Sequence, residues 1–190
     1  SLPFVSFQTF FDSSTMPLHI SPLAKSHFEG LRRVLDVIAR EKHYLAFFVA
    51  PAAEEAYAFY RDILAHNDSH YVALFENKVI GWCDVIRKPQ AAVQHVGVLG
   101  VGVHPDHRGQ GISTQLMQTA IAKAWDNGLT RIELTVRSDN AAAIALYQHH
   151  GFAQEGLLRQ GFLVDGAYFD VISMALFNET AMSQAQVKPL

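Results

Sequence analysis

The stretch "VGVLGVGVHPDHRGQGIST", residues 96–114, decides the fold. It opens with an apolar, glycine-rich run typical of a strand, passes through a proline turn and ends in a second glycine-rich segment. From Ile112 onward, apolar side chains recur on one face of a helix that Asn127 and Gly128 bring to an end. A strand, a turn and a helix N-terminus in this order form a place where backbone amides can bind an anion.

The strand itself changes phase. Its first two valines alternate in one phase and its apolar residues from Leu99 to Val103 in the other, which predicts a β-bulge between Val98 and Leu99. The three interspersed glycines mark positions where the backbone bends or another group comes close. Two interpretations stay open: the strand forms part of a binding site, or it is buried on both faces and thinned by glycine for packing.

Composition limits the classes of function. The 190 residues, 49% of them apolar, suffice for one domain, which we expect over residues 16–177. Residues 1–15 are expected to be an extension or a cloning remnant, and residues 178–190 a C-terminal tail. A net charge of −3 gives no overall basic field, so nucleic acid is not expected as a partner.

Other features argue against membranes, disulfides and metals. The sequence contains no apolar run of eighteen residues that could span a membrane, and no signal-peptide pattern. The lone Cys83 excludes an intramolecular disulfide and suits a reducing cytoplasm. Ten histidines are present without a recognisable zinc spacing, so no metal is expected.

Periodicity along the chain predicts the order β-α-α-β-β-β-α-β-α-β-β, an α/β fold with a mixed sheet. We expect the first helix to begin at Ser26 as N-cap, and the second to follow Pro51 with Phe59 in its apolar stripe. Residues 76–78 and the pair Asp165-Gly166 predict hairpin turns. The later helix, "NAAAIALYQHHG", is opened by Asp139 or Asn140.

The glycine-rich segment before the third helix matches neither common nucleotide motif. The sequence lacks G-x-x-x-x-G-K-[ST], and "GVLGVG" is not followed directly by a helix, as the dinucleotide fingerprint requires. Gly109 and Gly111 would let a phosphate approach the amides of a helix N-terminus.

Three segments together resemble a known family. "VGVHPDHRGQGISTQLMQTAIAKA", "RIELTVRSDNAAAIALYQHHGF" and "EGLLRQGFLVDGAYFDVISMAL" are similar to the GNAT superfamily of acetyl-CoA-dependent N-acetyltransferases, in its small-molecule and ribosomal-protein-type branches. The resemblance implies a largely antiparallel mixed sheet with a β-bulge and splayed strands, flanked by about four helices. It also implies acetyl-CoA as cosubstrate.

The resemblance assigns the cosubstrate contacts. Backbone of the bulged strand, at Val101, Gly102 and Val103, would pair with pantetheine and polarise the thioester carbonyl. Asn140 matches a coenzyme-contacting asparagine and Tyr147 the tyrosine near the thioester sulfur. His149 stands where the family often has lysine or arginine. The family's pyrophosphate-binding pattern falls on Arg108, Gly109, Gln110, Gly111, Ile112 and Ser113, the last replacing glycine or alanine.

For catalysis, Tyr147 is the expected general acid, with a core aromatic as the alternative interpretation. The bulged strand carries no carboxylate to accept the amine proton. His95, Asp84 and Glu133 are substitutes, and an ordered water is an equal alternative.

These features predict acetyl transfer to a primary amine of a small molecule: an amino acid, a polyamine or an amine antibiotic. A protein N-terminus or lysine is the alternative acceptor, and a non-catalytic acyl-CoA-binding module is the alternative of another class. We expect the acceptor pocket between residues 40–55 and 156–170, with Phe47, Phe48 and Trp82 as lining candidates. A homodimer stays open.

Overall fold

A computed structural model describes residues 18–183. The expected N-terminal extension and most of the C-terminal tail lie outside the described residues. The helices are α1 (Phe28–Arg40), α2 (Ala53–His66), α3 (Ile112–Asp126), α4 (Ala141–His149) and α5 (Glu179–Met182). The strands are β1 (His19–Pro22), β2 (Ser69–Phe75), β3 (Lys78–Arg87), β4 (Val96–Val103), β5 (Arg131–Arg137), β6 (Ala153–Val164) and β7 (Ala167–Phe177). The predicted order of elements is confirmed, with α5 added inside the expected tail.

The strands form one seven-stranded sheet in the order β1-β2-β3-β4-β5-β7-β6. All neighbours are antiparallel except β4 and β5. The predicted mixed α/β sheet is therefore confirmed. Both predicted hairpin turns form with positive φ angles, at Glu76 and Asn77 and at Asp165 and Gly166, as tight primed turns require.

Helices cover the sheet on both faces. Helices α1 and α2 pack on one face against Val72 and Trp82, in a core that includes Leu31 and Ile63. Helices α3 and α4 cover the other face, where Leu116 and Met117 are fully buried. The single thiol, Cys83, lies buried in this second core.

Strand β4 is regular, and the bulge predicted between Val98 and Leu99 is wrong in position. The β3–β4 ladder runs without a shift from Gly81 opposite Val103 to Arg87 opposite Gly97. The sheet has irregularities elsewhere, in β2 between Ala73 and Leu74 and at two points in β6.

The physical reason for the misreading is a tryptophan on the neighbouring strand. A Cβ atom at Gly102 would lie 2.5 Å from Cη2 of Trp82, so this ring fills the space of a side chain on β4. At Gly97, on the other face, a Cβ would lie 2.5 Å from Cγ1 of Val85. Side chains of β4 therefore alternate between the two faces without interruption. Glycine stands at the positions where a side chain of β3 fills the space, and this produces the change of phase in the sequence pattern.

Strands β4 and β5 separate after a short parallel contact. They pair only at Val96, Gly97 and Val98, opposite residues 131–133. Beyond that point β4 keeps β3 as its neighbour, and β5 keeps β7. The splayed strands that the resemblance implied are thus present, and they open a gap inside the sheet.

Three local predictions need correction. Ser26 lies in a short 3-10 turn and His27 takes the N-cap position of α1, without a side-chain cap. On α2, Tyr60 is buried while Phe59 is 48% exposed, because the helix packs on Phe28 and the sheet through its Tyr60 side. Within residues 18–183, no helix is long and apolar enough to cross a membrane.

Candidate active site

A cleft of about 240 Å³ occupies the gap between the splayed strands. One wall is the end of β4, at Val101, Gly102 and Val103, and the other is the end of β5 with Thr135 and Arg137. The start of α3 contributes Ser113 to the lining, and α4 contributes Tyr147 together with its N-cap residue Asn140. The fold therefore brings together most of the residues that the sequence singled out.

The open edge of β4 directs the Val101 amide into this cleft. The Val96 carbonyl accepts from Lys88 N (2.9 Å) and His104 N donates to the Ile80 carbonyl (2.7 Å), so even-numbered residues face β3. Backbone groups alternate sides along a strand, and odd-numbered residues therefore face the gap. The Val101 N–H is free to pair with an extended ligand or to donate to an oxyanion.

Residues 109–113, at the start of α3, have backbone geometry suited to an anion and are called the anion cradle below. Gly109 and Gly111 have φ angles of +72° and +75°, which glycine adopts without strain, and both are exposed. Gln115 makes the first hydrogen bond of α3, to the Gly111 carbonyl at 3.2 Å, so the amides of Ile112 and Ser113 lack a helical partner. These amides and the positive end of the helix dipole favour a phosphate at this position.

The side chain of Arg108 is already engaged. Its guanidinium donates to both carboxylate oxygens of Glu41, at 2.6 and 2.8 Å, and to the Val103 carbonyl at 3.0 Å. It also stacks on the Tyr44 ring. Hydrogen bonding to Glu41 raises the pKa of Arg108. Arg108 thus ties the end of α1 to the cradle, so backbone amides rather than this guanidinium are the available donors there.

Helix α4 places two of the candidate residues on the cleft. Asn140 is 8% exposed and caps the helix, its Oδ1 accepting from the Ala143 amide at 3.2 Å, which resolves the choice between Asp139 and Asn140. Tyr147 packs partly buried against the α3 core and against Phe152. Burial, and to a lesser degree Cys83, raises the pKa of Tyr147, so the phenol keeps its proton at neutral pH.

Asp84 is the base candidate that the structure brings near the cleft. It pairs with Gly100 of β4, and its Oδ1 lies 3.2 Å from where a Gly100 Cβ would sit. Burial raises the pKa of Asp84 from 3.8 to about 7, partly offset by a hydrogen bond from the Gly100 backbone. Asp84 and Cys83 are successive strand residues, so Asp84 and Tyr147 lie on opposite faces of the sheet, with the gap between them.

The other two base candidates lie away from the cleft. His95 is exposed ahead of β4, at the strand end remote from Val103. Glu133 pairs with Val98 in the region where β4 and β5 still touch. Ion pairs of Glu133 with Lys88 and Arg131 lower its pKa, against the opposing effect of burial.

Sequence reasoning missed Arg137, which is 6% exposed on the cleft wall. It forms an ion pair with Asp139 (2.6 Å), donates to the Lys42 carbonyl (3.1 Å) and stacks on Phe169. Its position close to the N-cap Asn140 was the one signal in the sequence that placed Arg137 near the site. Its contact with Lys42 could not be predicted, because the two residues are 95 positions apart in sequence. Within residues 18–183, no group of three or more His, Cys, Asp or Glu side chains is arranged to hold a metal ion.

Comparison with known proteins places these features in a family. The sequence profile of the Acetyltransferase (GNAT) family matches residues 33–152. The chain is 37% identical over 108 residues to the L-amino acid N-acetyltransferase AaaT of Escherichia coli (strain K12), covering 55% of this chain and 65% of that protein. It is 35% identical over 111 residues to the N-alpha-acetyltransferase RimI of Mycobacterium tuberculosis, covering 58% of this chain and 68% of that one.

A solved structure shows the same fold. The structure of yncA from Salmonella typhimurium, described with its cofactor acetyl-CoA, superimposes with a TM-score of 0.80 at 20% identity. The match covers 85% of this chain and 95% of that one. At this level of identity the likeness concerns the fold alone.

Proposed function

Because the chain belongs to the GNAT family of acetyltransferases, we propose that it is an enzyme that moves an acetyl group from acetyl-CoA to a primary amine. The observation that carries this proposal is the gap between β4 and β5. It combines the Val101 amide with the anion cradle before α3, and Asp84, a carboxyl of raised pKa, lies on the neighbouring strand β3. We place acetyl-CoA along the open edge of β4, with its pyrophosphate on the amides of Gly109, Gly111 and Ser113.

In the proposed reaction, Asp84 accepts the proton that the amine gives up as its nitrogen attacks the thioester carbonyl. The Val101 amide stabilises the negative charge that develops on the carbonyl oxygen. The carbon–sulfur bond then breaks, and the Tyr147 hydroxyl donates a proton to the departing thiolate. The products are the N-acetylated amine and coenzyme A. With an ordinary pKa, Asp84 would be a weak base, and a pKa of about 7 suits it to this task.

The acceptor is proposed to be a small molecule, with a protein N-terminus as second candidate. The names of the two relatives support one candidate each, since one is an amino acid acetyltransferase and the other an N-alpha-acetyltransferase. The small molecule is favoured by a mainly apolar cavity between α1, α2 and β3, whose chemistry is developed below.

The test is coenzyme A release from acetyl-CoA over a panel of amines, amino acids, polyamines, aminoglycosides and short peptides. Tyr147→Phe should lower kcat by about 10²-fold or more while acetyl-CoA affinity, measured by calorimetry, stays close to that of the native protein. Tyr71→Phe is the matched control, because Tyr71 lies on β2 and is not among the residues that line the cleft. Tight acetyl-CoA binding with no acceptor in the panel would favour the non-catalytic module instead.

A further inference from the structure

A second cavity, of about 350 Å³, lies between α1, α2 and β3, on the face of the sheet that carries Asp84. Its walls are mainly apolar and include Leu31, Leu35, Phe47 and Trp82. Of the three aromatic residues expected from the sequence to line an acceptor pocket, Phe47 and Trp82 line this cavity and Phe48 does not. Residues 156–170, expected as the second wall of that pocket, do not contribute to its lining. Such a volume suits a small organic group rather than a folded partner.

Three polar atoms at this cavity have no hydrogen-bond partner among the described residues. They are the Tyr60 Oη and both ring nitrogens of His70. Each of these residues is only 4% exposed, and buried polar groups are normally hydrogen-bonded. A ligand that brings a polar group with both donor and acceptor capacity, such as an amine, would pair with the Tyr60 hydroxyl and with one ring nitrogen of His70.

His70 and Asp84 lie side by side on neighbouring strands, in a row that leads to β4. His70 of β2 pairs with Asp84 of β3, which pairs with Gly100 of β4. The His70 Nδ1 lies 3.6 Å from Oδ2 of Asp84. Burial lowers the pKa of His70 to about 3, so the imidazole is uncharged at neutral pH. An amine held between Tyr60 and these residues would lie at Asp84, the proposed base, whose strand neighbour is Gly100 of β4.

The charges of the cavity discriminate among amines. Its lining carries two carboxyl groups, from Glu55 and Asp84, and includes no lysine or arginine. The nearby Arg32 is held by the Pro51 carbonyl, to which its Nε donates at 2.8 Å. A carboxylate that entered with the substrate would lose its hydration without gaining a cationic partner, which is strongly unfavourable.

We propose that this cavity selects small primary amines with an aromatic or branched apolar body and no carboxylate next to the amine. This inference rests on the proposed acetyl transfer and narrows its acceptor. Free amino acids, which carry a carboxylate on the same carbon as the amine, are excluded by the same charges that attract the amine.

Matched substrate pairs test the proposal. We expect kcat/KM for 2-phenylethylamine to exceed that for L-phenylalanine by about tenfold or more, and 3-methylbutylamine to exceed L-leucine likewise. L-phenylalaninamide, which keeps the shape without the negative charge, should fall near 2-phenylethylamine. Equal or faster turnover of the amino acids would overturn this inference and leave the acetyltransferase in place. Faster turnover of a phenylalanine-initiated tripeptide would likewise overturn it, in favour of a peptide acceptor.

Failure of the broader proposal gives a different result. If none of these amines, amino acids or peptides releases coenzyme A, the proposed function and the narrower inference both fall. If polyamines or aminoglycosides alone are acetylated, only the narrower inference falls.

Two charge-reversal variants separate the effect of the cavity's charge on substrate preference from a general effect of net charge. Glu55 lines it, whereas Glu54, also exposed in the first turn of α2, does not. Glu55→Lys should reduce the preference for 2-phenylethylamine over L-phenylalanine by about tenfold, because it supplies the missing cation. Glu54→Lys changes the net charge and the helix terminus in the same way and should leave the preference unchanged. An equal change in both variants would overturn the proposal.

Discussion

Replacement of Asp84 by asparagine should remove a pH dependence from the stability of the fold. In the unfolded chain this carboxyl ionises near its ordinary value of 3.8, whereas burial holds the folded value at about 7. Between these values, unfolding releases a proton, so a rise in pH favours the unfolded state. The free energy of unfolding should therefore fall by about 1.4 kcal/mol per pH unit through Asp84 alone near pH 5.5, and by about 2 kcal/mol in total between pH 5 and pH 7, because Asp84 is half ionised in the folded protein at pH 7.

The assay is urea unfolding of the native protein and of Asp84→Asn at pH 5, 6 and 7. The stability of the variant relative to the native protein should increase by about 2 kcal/mol over this range. Gln118→Asn, at an exposed residue of α3, exchanges one uncharged amide for another and is the control, with a difference that should not change with pH. A pH-independent difference for Asp84→Asn would refute the raised pKa and, with it, the proposed base.

Activity provides the second part of this prediction. A base acts as the carboxylate, so kcat/KM of the native enzyme should rise with pH through about 7, and Asp84→Asn should lower kcat by about 10²-fold or more. The rise caused by deprotonation of the amine substrate itself should persist in the variant, which separates the two titrations.

Three further predictions follow from packing and backbone geometry. Gly102→Ala places a Cβ 2.5 Å from the Trp82 ring and should lower stability to urea by about 1–3 kcal/mol, whereas Gly156→Ala, whose Cβ meets no atom within 4 Å, should not. Gly111→Ala forces alanine to a φ of +75° and should weaken acetyl-CoA binding in calorimetry, with a stability loss of about 1 kcal/mol. Cys83 is fully buried, and burial raises the pKa of its thiol, so a disulfide reagent should label it only at the rate of unfolding, and rapid labelling of the native protein would contradict this.

The parts of the fold that could be predicted from sequence are those fixed by local chemistry. The two hairpins follow from turn residues that tolerate positive φ, and the start of α4 from the capping side chain of Asn140. The cradle before α3 was predicted from Gly109 and Gly111 in the same way. In each of these cases the decisive interaction joins residues within a few positions of each other.

Contacts between distant segments account for what could not be predicted. The phase of β4 was misread because Trp82, on another strand, fills the space above Gly102. Asp84 could not be separated from His95 and Glu133 until the strand register placed it beside Gly100. The alignment of His70 with Asp84 also depends on a register shift between Ala73 and Leu74, for which the sequence gives no signal.

The position of the unpaired edge of β4 also bears on association between chains. Free main-chain groups at the outer border of a sheet invite a strand from another molecule and hence aggregation. Here they lie in the interior of the sheet, between β5 and the start of α3. A polypeptide strand carries side chains on both faces and would collide with the helices above and below. A narrow, unbranched ligand can still enter the gap. The unpaired amides of β4 therefore stay available to such a ligand but not to a strand of another protein.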